Sequence, residues 1–142
     1  IIPEEAMMMG TIRTFDPELR KEIYNEIRQI AKGVETATGA NIKVEFDVGG
    51  FYPVTYNNIA LGERMKQSLI EATNGNFAEI TRRTGAEDFS YFSQEIPGLY
   101  IFLGVNDPGR LEQAGNHSPY FTVNDDALDE GLKSLVYMTI DY

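Results

Sequence analysis

Residues 42–48 constrain the fold most strongly, because apolar and charged side chains alternate there without interruption. The alternating residues are Ile42, Lys43, Val44, Glu45, Phe46, Asp47 and Val48. A period of two places all the apolar side chains on one face of an extended chain and the charged ones on the other. The pattern predicts a strand with one buried face and one face in water.

A helix is predicted directly before this strand. Asp16 followed by Pro17 is typical of an N-cap and a first helical position, and apolar residues then recur at steps of three and four as far as Val34, with an end near Gly39. Residues 6–15 before Asp16 are predicted to form another strand. The first 50 or so residues therefore predict a ferredoxin-like β-α-β unit.

The pattern changes after the Gly, Pro and Asn residues between 49 and 58, which predicts two domains, 1–56 and 57–142. In the second domain, Asn57 or Asn58 is predicted to cap a helix. The continuous apolar run 99–103 predicts a strand covered on both faces, as in a mostly parallel sheet. The last helix starts at Asn124 and is expected to bury the stripe Leu132, Leu135, Val136 and Ile140. The predicted fold class is α/β.

The composition limits the partners and the chemistry. Twelve basic against 22 acidic residues give a net charge of −10, which disfavours nucleic acid and membrane surfaces as partners. The chain has no cysteine, so disulfides, thiolate metal sites and cysteine nucleophiles are excluded. The chain begins at Ile1 with a predicted strand close behind, and we expect it to be a piece of a longer protein. We also expect a cytoplasmic location.

The only histidine, His117, lies in the segment that follows the predicted strand 99–103. Open α/β sheets bind ligands at the carboxyl ends of their strands, and imidazole is the commonest metal ligand and titrates near neutral pH. His117 is therefore a candidate metal ligand or general acid/base. An exposed loop histidine without a function is the alternative, and composition alone favours it.

Two further places could bind a substrate. Glu87 and Asp88 stand next to aromatic residues, where the proton affinity of a carboxylate is often shifted, although either one could simply cap a short helix. Arg13, on the first predicted strand, could bind a carboxylate through both arms of its guanidinium. The alternative for Arg13 is an ordinary ion pair on a solvated face.

Three motifs occur here in one order: GTIRTFD at 10–16, GAEDFS at 85–90 and HSPYF at 117–121. With these motifs the whole chain resembles the bacterial and plant N-acyl-amino-acid amidohydrolases, which include hippurate hydrolase and the auxin-conjugate hydrolases. This group is part of the aminoacylase and carboxypeptidase superfamily of dinuclear metalloenzymes. The resemblance implies that residues 1–56 are the second half of a lid and dimerisation domain, and that 57–142 are the C-terminal part of a catalytic metallopeptidase domain.

The resemblance also implies a role for each candidate residue. His117 would be a metal ligand, Arg13 would bind the free carboxylate of the substrate, and Glu87 and Asp88 would line the site. The intact enzyme would use two divalent ions, Zn²⁺ or Mn²⁺, to hydrolyse the amide bond of an N-acyl amino acid or a small peptide, as a homodimer formed through the lid. The catalytic residues would precede Ile1, so we expect this chain alone to be inactive and to bind no metal tightly.

Two other functions stay open at this point. The chain could be a non-catalytic association module in which the β-α-β unit pairs with a second copy. It could also be an independent acidic domain that binds an unknown ligand. Indifference of a stable dimer to Zn²⁺ or Mn²⁺ would favour the association module.

Overall fold

The structure is a computed structural model that describes residues 1–110 and 112–142. The described residues form four helices: α1 (Pro17–Thr38), α2 (Ile59–Ala72), α3 (Phe89–Glu95) and α4 (Asp126–Asp141). Nowhere in these two ranges is there a β-strand. The predicted α/β fold, with its ferredoxin-like β-α-β part and its mostly parallel sheet, is therefore wrong. None of the four helices is long and apolar enough to cross a membrane.

The alternating segment 42–48 packs on α1 instead of pairing with a strand. Ile42, Val44 and Phe46 are half-buried while the charged residues between them are exposed, so the predicted one-sided burial is present at these three positions. Val48, which was expected on the same face, is exposed. The Phe46 ring stacks on Tyr24 of α1 with 4.0 Å between centroids. The backbone N–H of Ile42 donates to the Glu35 carboxylate at 3.0 Å. A helix side chain thus takes the bond that a neighbouring strand would have taken.

Glu35 is the acceptor that attaches this segment to the helix. The hydrogen bond from Ile42, followed by the bond and the charge of Lys32, lowers the pKa of the Glu35 carboxyl below its ordinary value of 4.5. The carboxylate form is therefore the one that holds the segment.

The apolar run 99–103 is also not a strand, because a side chain pairs with its backbone. The Asn57 side-chain amide donates to the Tyr100 carbonyl at 2.9 Å, and the Tyr100 N–H donates to the Asn57 side-chain oxygen at 2.7 Å. One further bond joins the Asn58 N–H to the Gly98 carbonyl at 3.0 Å. One asparagine satisfies both backbone groups of Tyr100, so no ladder continues along the run.

The predicted first helix is confirmed, and local chemistry sets both its ends. The Asp16 carboxylate accepts the Glu18 N–H at 2.8 Å, and Pro17 occupies the first helical position. At the other end Gly39 adopts φ 74° and donates its N–H to the Glu35 carbonyl at 2.8 Å. A left-handed residue in that position is the usual end of a helix, and glycine adopts it at little cost.

The buried apolar side chains lie where α2 packs against α4. They are Met65, Leu69 and Ala72 on α2 and Ala127 on α4. Leu99 and Leu103 of the apolar run lie against two glycines of these helices, Gly62 and Gly131. The stripe of α4 that we expected to be buried is exposed instead: Leu132, Leu135, Val136 and Ile140. The buried residues of α4 are the small ones Ala127 and Ser134.

The structure divides into two compact units. The first contains Ile1–Thr55 and Arg82–Tyr91, and the second contains Tyr56–Thr81 and Phe92–Tyr142. Residues 82–91, which we call the 82–91 segment, therefore belong with the N-terminal part of the chain although they are distant in sequence. The assignment of 1–56 to a lid and of 57–142 to a catalytic domain stays a prediction.

Candidate functional site

Arg13 lies in the exposed segment before α1 and contacts a residue far along the chain. Its Nη1 donates a hydrogen bond to the backbone carbonyl of Thr84 at 2.6 Å, across 71 positions of sequence. A guanidinium has five N–H donors. This bond to one nitrogen leaves the planar fork of Arg13 with further donors for an anionic ligand.

Glu87 and Asp88 lie three and four residues after Thr84, in the turn that leads into α3. The carbonyl of Glu87 accepts the N–H of Ser90 at 3.1 Å and its hydroxyl at 2.5 Å, and the carbonyl of Asp88 accepts the N–H of Tyr91 at 3.0 Å. Ser90 is fully buried, whereas Glu87 is half-buried and Asp88 is exposed. Hydrogen bonds from the buried Ser90 and from Tyr91 thus hold the backbone of the turn, while the Asp88 side chain faces water.

Three of the four candidate residues therefore belong to one unit. Arg13, Glu87 and Asp88 all lie in the first unit, and the Arg13–Thr84 bond joins the two parts of the chain that carry them. The described contacts bring Arg13 as near to the two carboxylates in sequence as Thr84, three residues before Glu87.

His117 lies in the second unit, on an exposed tight turn. The Ser118 N–H donates to the Gly115 carbonyl at 2.9 Å, and the Phe121 N–H donates to the Ser118 carbonyl at 3.1 Å. The loop that carries this turn is closed at its base by the Asn124 N–H, which donates to the Val105 carbonyl at 2.9 Å. His117 is therefore presented to water on a loop with fixed ends.

An open cavity of about 420 Å³ lies near the base of this loop. Its lining residues are Asp107, Arg110, Thr122, Val123, Asn124 and Asp125. In residues 1–110 and 112–142, no group of three or more His, Asp or Glu side chains is arranged to hold a metal ion. Protein metal sites generally take three or more protein ligands. The exposed imidazole of His117 could serve as one such ligand, but the described residues do not complete a metal site.

The comparisons with known proteins decide the family. The model of peptidase family M20/M25/M40 matches residues 2–141, which is almost the whole chain. The chain belongs to peptidase family M20/M25/M40. Peptidases of this family are generally metal-dependent hydrolases.

Relatives with three different names match this chain at 30–33% identity. Thermostable carboxypeptidase 2 of Saccharolobus solfataricus is 33% identical over 142 residues, which are all of this chain and 35% of the relative. IAA-amino acid hydrolase ILR1-like 4 of Arabidopsis thaliana is 30% identical over 145 residues, covering all of this chain and 33% of the relative. N-acetyldiaminopimelate deacetylase of Streptococcus thermophilus is 32% identical over 128 residues, or 90% of this chain and 32% of the relative.

The chain therefore spans about a third of the length of the curated relatives that it matches. No solved structure matches it significantly. The activity, substrates and partners of the whole protein are accordingly matters for proposal.

Reasoning from the sequence missed the residues that attach the 82–91 segment to the first unit. Besides the Thr84 carbonyl, these include Arg82, whose Cζ lies 5.8 Å from the centroid of the Phe15 ring. Arg13 contacts a backbone carbonyl 71 positions along the chain, so no side-chain pattern in the sequence could have suggested this contact.

Proposed function

We propose that the protein carrying this chain is a metal-dependent amidohydrolase that cleaves the amide bond of an N-acyl amino acid or a small peptide. The observation that carries the proposal is the match to peptidase family M20/M25/M40 over residues 2–141. The matched relatives are named for a carboxypeptidase, an amino-acid-conjugate hydrolase and an N-acetyl deacetylase. Each of these names describes hydrolysis of a bond between an acyl group and an amino group.

In this proposal the first unit recognises the substrate. Arg13 binds its free carboxylate, because the planar guanidinium suits bidentate contact with a carboxylate and Arg13 is exposed. Glu87 and Asp88 line the same site and contact the polar part of the substrate. The contact of Arg13 with the stretch that leads to Glu87 supports this grouping.

His117 contributes one metal ligand. The proposed enzyme uses two divalent ions, Zn²⁺ or Mn²⁺, and bound ions of this kind activate water and polarise an amide carbonyl. The other ligands and the general base belong to parts of the protein beyond these 142 residues. The described residues by themselves bind and orient the substrate and supply one imidazole, and on this proposal they are inactive alone.

We also propose that the protein is a cytoplasmic homodimer, with residues 1–56 forming the contact between subunits. Met7, Met8 and Met9 are 84%, 96% and 90% exposed, and consecutive exposed methionines are a typical surface for association. This exposed run is also what favours the second candidate function, a non-catalytic association module.

The test is His117→Ala in the whole protein, with Asn116→Ala in the same exposed turn as the matched control. Loss of a metal ligand is expected to lower Zn²⁺- or Mn²⁺-dependent hydrolysis of N-acyl amino acids by at least about 100-fold. The helix content measured by circular dichroism is expected to stay unchanged, and Asn116→Ala is expected to keep its activity. Near-normal turnover of His117→Ala would refute the role of His117.

The same measurement separates the two candidate functions. An association module would run as a dimer on a sizing column and hydrolyse no amide, whichever of the two ions is added. Metal-dependent hydrolysis by the unsubstituted protein would rule that function out.

A further inference from the structure

The contact between Arg13 and Thr84 suggests a second task for this arginine, distinct from binding the substrate. We infer that Arg13 is a positioning residue: by donating to the Thr84 carbonyl it fixes the turn that carries Glu87 and Asp88 on the first unit. The consequence for substrate binding rests on the proposed function. The physical claim, that one exposed guanidinium holds a turn distant in sequence, does not.

The first step of the argument is that this contact is one of a pair. Arg13 meets Thr84 at 2.6 Å, and two residues later the Phe15 ring lies 5.8 Å from the guanidinium carbon of Arg82. Arg13 thus meets the later residue, Thr84, through its backbone carbonyl, and Phe15 meets the earlier one, Arg82, so the two stretches pass in opposite directions at these two contacts. A guanidinium within about 6 Å of an aromatic ring is an attractive contact. The two contacts together fix both the position and the direction of residues 82–84 relative to residues 13–15.

The second step is that the other end of the 82–91 segment is attached to the same unit. The Tyr91 hydroxyl donates to the Phe51 carbonyl, and the Tyr91 ring lies 6.1 Å from the ring of Tyr52. Residues 85–88 therefore lie between two attachment points. Fixing both ends of a short stretch reduces the number of conformations that it can adopt.

The third step is that residues 82–86, which precede the turn, have few other contacts to hold them. Residues 82–86 and Asp88 are exposed, and a Cβ built on Gly85 would meet no atom within 4 Å. Stretches with few buried contacts open locally at low free energy. The charge-assisted bond from Arg13 is a short one of a strong type, so its loss is expected to loosen the turn and the two backbone bonds that Ser90 and Tyr91 donate to it.

The test compares Arg13→Met with Arg83→Met, which removes the same charge from an exposed arginine in the same segment. Amide hydrogen exchange is measured in the full chain at Ser90 and Tyr91, whose N–H groups donate to the carbonyls of Glu87 and Asp88 and so report on the turn. The loss of one charge-assisted hydrogen bond is expected to speed exchange there about tenfold in Arg13→Met. Helices α1, α2 and α4 are expected to keep the rates of the unsubstituted protein, and so is every amide of Arg83→Met.

A second measurement asks whether the turn matters for the substrate. The two variants are assayed in the whole protein with an N-acyl amino acid and with its C-terminal carboxamide, which lacks the carboxylate. If Arg13 positions the turn, Arg13→Met lowers kcat/KM about tenfold or more for both compounds, mainly through KM. A residue that only binds the carboxylate would affect the first compound alone.

Each outcome has one meaning. Unchanged exchange at Ser90 and Tyr91 in Arg13→Met overturns the inference, and if the carboxylate compound alone then loses activity the proposed function stands. Faster exchange with an unaltered rate for the carboxamide would support the positioning of the turn by Arg13 and overturn its consequence for the substrate. If the unsubstituted protein hydrolyses neither compound, the proposed function fails, while the exchange rates still decide whether Arg13 holds the turn.

Discussion

Tyr24 and Asp47 form a hydrogen bond that attaches the turn after residue 46 to the middle of α1. The Tyr24 hydroxyl donates to the Asp47 carboxylate at 2.5 Å. Asp47 has φ 56°, in the left-handed region that aspartate adopts more readily than most residues, and its carbonyl accepts the Gly50 N–H at 2.9 Å. The side-chain bond and the backbone turn thus support each other.

This bond predicts a dependence of stability on alkaline pH. The hydrogen bond to Asp47, followed by partial burial and the negative charge of Asp47, raises the pKa of the Tyr24 phenol above its ordinary value of 10.0. In the unfolded chain the phenol ionises at lower pH, so the contribution of Tyr24 is complete below pH 10 and is lost as the pH rises through the folded pKa. Tyr24→Phe should therefore be less stable than the unsubstituted protein at pH 8, by roughly 0.5 kcal/mol, and equal to it at high pH.

Urea unfolding at pH 8 and above the folded pKa of Tyr24 measures this difference. Tyr120→Phe, at a tyrosine that is 82% exposed, controls for the loss of one phenol. A difference between Tyr24→Phe and the unsubstituted protein that stays constant with pH would contradict the assigned role of the bond.

At the scale of elements, the helices could be predicted from the sequence and the strands could not. The first helix is specified by neighbours along the chain, since Asp16, Pro17 and Gly39 act within one turn of its ends. A strand is specified by its partner, and a period of two reports only which side is buried. Ile42, Val44 and Phe46 show that burial and Val48 does not, being 79% exposed. The partner of these residues is a helix, and the partner of Tyr100 is the side chain of Asn57.

Close packing of the apolar run against α4 leads to a prediction about two helical glycines. A Cβ added to Gly131 would lie 2.8 Å from Leu103 Cδ2, whereas one added to Gly33 of α1 would meet nothing within 4 Å. Alanine is more favourable than glycine in a helix interior by about 1 kcal/mol. Gly33→Ala should stabilise by about that amount, and Gly131→Ala should change stability by less than about 0.5 kcal/mol because moving Leu103 offsets the gain.

The offset can be isolated by shortening Leu103. In a Leu103→Ala background, Gly131→Ala should recover the stabilisation of about 1 kcal/mol, and the double-mutant cycle then gives the energy of the contact. Free energies of unfolding from urea titrations measure all four proteins. A full gain from Gly131→Ala with Leu103 intact would show that the two side chains do not compete for space.

At the scale of the whole molecule, the apolar core and most of the candidate site lie in different units. The four buried apolar side chains belong to the second unit, whereas Arg13, Glu87 and Asp88 belong to the first. The sequence indicated these three residues by their chemistry, but it could not show that Thr84 contacts Arg13. That contact joins positions 71 apart, and no local pattern records it.

The stability of the second unit should depend on one side chain more than on any other. Met65 is 2% exposed and is the largest fully buried side chain among the described residues, whereas Leu132 on the outer face of α4 is 63% exposed. Met65→Ala removes buried volume and should cost about 2–5 kcal/mol, a large part of the 5–15 kcal/mol that is typical of a whole domain. Leu132→Ala, the matched truncation, should change the free energy of unfolding by no more than about 0.5 kcal/mol. Urea unfolding, together with amide exchange in α2 and α4, measures the loss of stability in the two variants. Equal losses of unfolding free energy would mean that the outer face of α4 is covered in solution and contributes as much as the face toward α2.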